Sequence, residues 1–282
     1  MSGESNLSSA KFNIAPGVPV GGSAPLVLLA GPCQIESREH AMFMAQSLTA
    51  AVKDLPLSLI YKSSFDKANR TKVSSARGIG IEEGLSILSE VRREFSIPLV
   101  TDIHSPEQAE IAGKVVDILQ IPAFLCRQTD LLLAAGRTNR TIHVKKGQFL
   151  HPSDMAHVAE KIASTGNHKV ILCERGTCFG YRDLIVDPRS LIIMGRTGYP
   201  VSFDATHSVQ SMGGESGVSG GHREFIAPLA KAAVAVGVDA MFIECHEDPS
   251  RAPSDGMSML PLSELRPLLE ELLQIRDAVR GK

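Results

Sequence analysis

The sequence predicts a closed (β/α)8 TIM barrel of parallel strands. Eight short apolar runs alternate with amphipathic stretches between Pro25 and Arg280. Charged residues collect immediately after those runs, where barrels of this class keep their ligands. An open doubly wound sheet uses the same alternation, but no GxGxxG follows the first run, which weighs against its dinucleotide-binding version.

The elements follow in order. FNIAPGVPVGG reads as a short turn or hairpin that plugs the N-terminal end of the barrel, so residues 1–24 form an extension on one barrel domain spanning 1–282. PLVLLAG (25–31) is the first strand, and Ser37 is placed to cap a helix over 38–53. LPLSLIYK (55–62) is the second strand; the polar stretch behind it shows no helical period until about Ile81, and a helix covers 82–95. IPLVTD (97–102) and a helix at 106–113 come next, then VVDILQI (115–121) and a helix at 128–136. TIHVKK (141–146) precedes a helix at 154–164, with Ser153 as its expected start. HKVILCE (168–174) and YPVSFDA (199–205) are the sixth and seventh strands, with no helix assigned between them. The Gly- and Ser-rich segment from His207 to His222 lacks periodicity and is expected to be a mobile loop. An Ala-rich helix at 223–236, ending before Gly237, can lie close against a sheet, and VDAMFIEC (238–245) is the eighth strand. The last helix, 262–280, has the clearest stripe: Leu262, Leu265, Leu268, Leu269, Leu272 and Ile275.

Composition excludes several function classes. The 29 Lys and Arg nearly balance 31 Asp and Glu, so neither a nucleic-acid tail nor a polybasic membrane surface is expected. No stretch approaches 18 uninterrupted apolar residues, and the polar start MSGESNLSSAK lacks an apolar leader core. Five cysteines in no framework spacing fit a reducing compartment; the expectation is a soluble, cytoplasmic protein, with Cys126, Cys173 and Cys178 structural.

The residues at the strand ends sort into two chemical groups. Lys62, Lys67, Lys145 and Arg175 suit a phosphate and a carboxylate, since Arg offers a planar fork and Lys a compact charge; Arg70 is far enough on to reach a second phosphate or across an interface. Cys33, His207, Glu244 and Asp255 combine soft and hard ligands that suit a divalent transition metal. Their spacing is unlike a zinc finger, and the ordinary readings of Cys33 and Asp255 are a buried thiol without a role and a surface carboxylate. His104 and His246 are open between supporting and solvated roles.

The motifs GPCQIES, YKSSFDKANR, TDIHS, QIPAFLCRQTDL, VKKGQF, CERG, FDATHSVQ and the stretch from FIECH to SDG resemble the 3-deoxy-D-manno-octulosonate 8-phosphate synthases across nearly the whole barrel. The related heptulosonate 7-phosphate synthases share GPC and ES, but KANR is similar to the octulosonate enzymes. The resemblance implies condensation of phosphoenolpyruvate with arabinose 5-phosphate and loss of inorganic phosphate by C–O cleavage. By matching motif it implies that Lys62, Lys67, Lys145 and Arg175 hold phosphoenolpyruvate. It further implies that Asn69, Arg70 and Thr71 bind arabinose 5-phosphate, with Arg70 and Thr71 serving a neighbouring subunit of a homotetramer. Thr71 stands where the family usually has Ser, and a hydroxyl is kept. TNRTI before His143 and His151 after the QF motif are further departures.

Cys33, together with SDG at Ser254 to Gly256, resembles the metal-dependent branch, where the metal-independent one has Asn and CDG. The implied ligands are Cys33, His207, Glu244 and Asp255, around zinc, iron, manganese or cobalt. On this reading Cys33, His207 and Asp255 act in catalysis through the ion, Lys145 delivers a proton, and Asp102, Gln120 and His104 support the substrate site. Heptulosonate phosphate synthesis and a catalytically silent metabolite-binding barrel are the competing readings.

Overall fold

The computed structural model describes residues 9–69, 77–179, 183–211 and 220–281. A two-stranded antiparallel hairpin, β1 (Phe12–Ala15) and β2 (Val18–Val20), comes first. The barrel strands are β3 (Leu26–Gly31), β4 (Leu57–Lys62), β5 (Leu99–Asp102), β6 (Ile118–Ile121), β7 (Thr141–Lys145), β8 (Val170–Glu174), β11 (Val201–Asp204) and β14 (Ala240–His246). Each is parallel to the next, and β11–β14 and β14–β3 pairing closes the ring. Short pairs β9 (Thr177–Cys178) with β10 (Leu184–Ile185), and β12 (Gln210–Ser211) with β13 (Gly220–Gly221), decorate the loops.

The outer layer is α1 (Arg38–Val52), α2 (Ile81–Phe95), α3 (Pro106–Gly113), α4 (Thr129–Arg137), α5 (Met155–Ala163), α6 (Arg189–Gly195), α7 (Ile226–Val236) and α8 (Leu262–Arg280). Seven of these match the expected helices within three residues. The eighth, α6, has no counterpart in the sequence reading: its run SLIIMG is short and apolar without a polar face, and only packing against β8, β11 and α7 makes it a helix. Ser37 caps α1 as expected, accepting from the His40 N–H at 3.1 Å. Ser153 does not cap α5. Its own N–H is bound instead by His151 Nδ1 at 3.3 Å, and a 3-10 turn over Pro152–Asp154 leads into the helix. That gives the departure at His151 a local structural role.

Two apolar layers are built from opposite faces of the same strands, as the two-residue strand period requires. Leu26, Leu28, Ala30, Leu59, Tyr61, Leu119, Ile121, Val144 and Leu172 face the helices. Val27, Leu29, Ile60, Val100, Ile118, Ile171, Ala240 and Phe242 face inward and meet Ile14 and Val20 of the hairpin, so the expected plug is real. Gly31 is required by a close approach: a Cβ there would sit 2.0 Å from the Lys62 carbonyl oxygen. Cys126 and Cys173, expected to be structural, are buried, whereas Cys178, grouped with them, is exposed on β9. No helix among the described residues is long and apolar enough to cross a membrane. Of the loop expected over 207–222, the ends form a 3-10 turn and the β12–β13 pair, and 212–219 lie outside the described residues.

Candidate active site

The inward period continues one step past the apolar layer and turns polar. Ile60 is followed by Lys62, Val100 by Asp102, Ile118 by Gln120, His143 by Lys145, Ser202 by Asp204 and Phe242 by Glu244, each pair two residues apart on one strand. These side chains therefore form a ring at the C-terminal mouth, and all of them are buried. Burying so many charges is tolerable only if each is paired.

The pairing is complete. Lys62 Nζ lies 2.5 Å from Glu244 Oε1 and donates to the Cys33 carbonyl at 3.0 Å. Lys145 Nζ bonds Asp204 and stands over the Phe242 ring, 3.1 Å from its centroid. Lys67 donates to Ser64 Oγ at 3.1 Å and lies 3.7 Å from Asp102. Asp102 also accepts from Ser64 Oγ and Gln120 Nε2, and Gln120 Oε1 meets His143 Nδ1 at 2.8 Å. Arg175 reaches the His207 carbonyl at 3.1 Å and Gln210 Oε1 at 2.6 Å. Gln210 in turn donates to Asp255 Oδ1 at 2.9 Å, so the sixth strand's arginine is tied to the C-terminal motif.

The acids respond to this positive surround. Burial opposes ionisation of Asp204, yet His207, Lys145 and Arg175 hold it well below the usual carboxylate range. Burial likewise disfavours the Asp102 charge, and Lys62, Lys67, His104 and the Ser64 hydrogen bond outweigh it. Glu244 is drawn down against burial by Lys62, His207 and Lys67. Lys67, despite burial, is held protonated by the field of Cys33, Glu244, Asp102 and Asp255.

Three of the four residues read as metal ligands fall at one place, and His207 stands beside one of them, Glu244. Donor atoms of Cys33, Glu244 and Asp255 lie within 4.8 Å of one another. Cys33 Sγ is 3.1 Å from Asp255 Oδ2, and His207 Nε2 is 3.5 Å from Glu244 Oε2. His207 Nδ1 lies 2.8 Å from Asp204 Oδ2, and the His207 backbone N–H donates to Asp204 Oδ1 at 2.9 Å. Asp255 takes a left-handed backbone, φ 55°, which an Asp tolerates and which turns its carboxylate inward. Gly256 follows because a Cβ there would sit 2.2 Å from the Pro249 carbonyl. Burial, then Glu244 and Asp255, push the Cys33 thiol well up. A thiol and two carboxylates crowded in one buried spot are a donor set that a divalent cation satisfies, so these residues fit a metal.

Other strand-end residues do different work. Lys146 is fully buried and clasps the Gly147 and Gly176 carbonyls at 3.3 Å each and Thr177 Oγ1 at 3.2 Å, away from the ring. His104 packs edge-on against Phe65 at 6.3 Å and its Nδ1 has no hydrogen-bond partner among the described residues. His246 turns to Glu36 and His40. Asn69 is exposed in the turn after Lys67, while Arg70 and Thr71 lie outside the described residues. Sequence reasoning passed over Phe242, Ser64 and Gln210. Phe242 was findable, since alternation on VDAMFIEC places it on the face of Glu244; Gln210 and Ser64 become visible only through their partners.

A sequence profile described as the DAHP synthetase I family matches residues 6–280. The chain belongs to that family. Among curated relatives, a protein of Granulibacter bethesdensis is 57% identical over 274 residues, 97% of each chain. One of Rhizobium meliloti is 58% identical over 254 residues, 90% of each chain. One of Brucella ovis is 57% identical over 251 residues, 89% of this chain and 91% of the relative. All three bear the name 2-dehydro-3-deoxyphosphooctonate aldolase. Because these matches span the family profile and nearly all of the barrel, the charged mouth is part of what they cover.

Proposed function

We propose that the chain condenses phosphoenolpyruvate with D-arabinose 5-phosphate and water to give 3-deoxy-D-manno-octulosonate 8-phosphate and inorganic phosphate. The observation that carries this reading is the ring itself: lysines and an arginine on the inward face, beside the Cys33, Glu244 and Asp255 donors. The names of the full-length relatives support it.

Lys62, Lys67, Lys145 and Arg175 hold the phosphate and carboxylate of phosphoenolpyruvate. The cost of bringing a second anion beside the first is offset by these four cations. Asn69 meets arabinose 5-phosphate, with Arg70 and Thr71 reaching a neighbouring subunit's sugar phosphate in a homotetramer. Asp102 and Gln120 line the substrate pocket and hold Lys67 and His143 in place. Carbon 3 of the enol phosphate attacks the sugar aldehyde. The new alkoxide takes a proton from Lys145 Nζ, which Asp204 and the Phe242 face keep positioned. Water adds at carbon 2 and returns a proton to Lys145, and the hemiketal phosphate then expels inorganic phosphate through its C–O bond.

Cys33, His207, Glu244 and Asp255 would hold a divalent ion, which would supply fixed positive charge beside the substrate site. Zinc, iron, manganese and cobalt all suit this mixed donor set. The protein works as a single barrel domain, with residues 1–24 as an extension, in the cytoplasm.

The test is a phosphate-release assay with arabinose 5-phosphate and erythrose 4-phosphate in parallel, each with and without chelator. Turnover with the five-carbon sugar, lost on chelation and restored by added divalent ion, is expected. Preference for erythrose 4-phosphate overturns the substrate, and undiminished turnover after exhaustive chelation overturns the metal role.

A further inference from the structure

Above the active-site ring, the loop after β3, the start of α1 and the end of β14 carry a second cluster. Glu36 lies three residues beyond Cys33, and His246 lies two beyond Glu244 on β14, so the cluster is stacked one step outward. His40, in the first turn of α1, completes it. Donor atoms of Glu36, His40 and His246 lie within 4.8 Å of one another. His246 Nε2 is 2.9 Å and His40 Nδ1 is 3.8 Å from Glu36 Oε1. These bracket the spacing of about 3.3 Å between neighbouring ligands of a tetrahedral zinc ion with bonds of about 2.0–2.1 Å.

The outer atoms of the two rings explain why the inner ones converge. His40 Nε2 lies 3.0 Å and His246 Nδ1 lies 3.2 Å from the same oxygen, Glu247 Oε2. A proton on His40 Nε2, given to Glu247, leaves the lone pair of His40 Nδ1 aimed at Glu36. His246 Nδ1 accepts the Asp248 N–H, so its Nε2–H donates to Glu36, and that proton must move to Nδ1, facing Glu247, for Nε2 to ligate an ion. For His40 that is the carboxylate-backed arrangement of a ligating histidine, and the same carboxylate stands 3.2 Å from His246 Nδ1. The rings are 4.9 Å apart. His40 Nδ1 is buried and has no hydrogen-bond partner among the described residues. Two carboxylates with two neutral imidazoles carry two negative charges, matching one divalent cation. The one contact that must yield is the Asp248 N–H, now 3.0 Å from His246 Nδ1.

We propose that Glu36, His40 and His246 form a second divalent transition-metal site, backed by Glu247 and separate from the Cys33 donors. His246 is buried and Glu36 is partly open, which leaves room for water to complete the coordination. An ion there ties the loop after β3 and the start of α1 to the end of β14.

The experiment counts ions. Chelator-stripped protein is dialysed against Zn²⁺ and the bound metal measured per chain; two ions are expected for the wild type. His40→Gln and, on a different element, Glu36→Gln are each expected to hold one, with circular dichroism checking that both remain folded. The variant Cys33→Ala/Asp255→Asn, stripped of two barrel-mouth donors, is expected to keep one ion. With Co²⁺ in place of Zn²⁺, this last variant should bind without a thiolate charge-transfer band. Unchanged stoichiometry in both folded His40→Gln and Glu36→Gln overturns the proposal, as does loss of all metal from Cys33→Ala/Asp255→Asn. A wild type that binds one ion, insensitive to His40 and Glu36 but lost with the Cys33 donors, overturns the second site while leaving the first intact.

Discussion

The two ends of the barrel interior are built from the same strands and behave as opposite materials. At the N-terminal end, Val27, Leu29, Ile60, Val100, Ile118 and Ile171 close around Ile14 and Val20 of the hairpin. One pleat higher, Lys62, Asp102, Gln120, Lys145, Asp204 and Glu244 replace them, all buried and all bonded to one another or to neighbours. The apolar end gains from removing surface from water, a non-directional effect that tolerates conservative changes. The polar end gains little net stability from its ion pairs, because desolvation cancels most of the Coulomb attraction, but it is severely damaged by losing one partner. Stability is concentrated below and chemistry above, on strands that cannot vary one layer without displacing the other.

The sharpest break of this contrast is Lys62→Met. It leaves Glu244 buried without its 2.5 Å partner, and a loss of about 3–5 kcal/mol is expected. Urea denaturation checks the stability and phosphate release checks activity, which should fall below one thousandth of wild type. A variant that is stable and active would mean the ring is not a set of obligatory pairs.

Acid separates the two ends next. Burial, and then Lys145, push His143 down from 6.5 to about 3. Its folded-state value lies below its unfolded one, so the unfolded chain takes the proton first. The stability that comes from keeping this ring neutral is complete above about pH 6.5 and declines toward pH 3, by about 1.4 kcal/mol per unit where the two states differ by a full proton. Urea midpoints at pH 7, 6 and 5 should fall for the wild type and fall less steeply for His143→Gln. Equal slopes would remove His143 from the account.

At the lower end, Val20→Ala empties part of the plug. A loss of about 2 kcal/mol is expected, with kcat and KM for both substrates unchanged, because nothing in the hairpin touches the ring. A large change in kcat would show that the ends are coupled. The smallest effect is Ser37→Ala, which removes the α1 cap at the mouth: about 1 kcal/mol in a denaturant titration, with turnover per folded molecule preserved.

Much of the architecture was legible in the chain because strand alternation and turn chemistry are local. VDAMFIEC and LPLSLIYK announce buried strands, and the hairpin is written in FNIAPGVPVGG. The helix over Arg189–Gly195 was not legible, since its sequence lacks a polar face and its neighbours decide its form. Ser153 failed as a cap for a related reason: His151 Nδ1 engages its hydroxyl at 2.8 Å within the same turn.

The site divides in the same way. Which residues stand at the strand ends follows from period and length, so Lys62, Asp102, Lys145, Asp204 and Glu244 were placed from sequence alone. Who partners whom did not follow. That Lys62 neutralises Glu244, that Arg175 reaches Asp255 through Gln210, and that Phe242 lies beneath Lys145 are consequences of closing eight strands into a ring. Likewise, Glu36, His40 and His246 are separated by up to 210 residues and meet only because β3 and β14 are the adjacent strands that complete the barrel. Local sequence sets the side-chain inventory of each strand end; ring closure decides which charges share a cavity, because pairing depends on distances between strands that no single segment encodes.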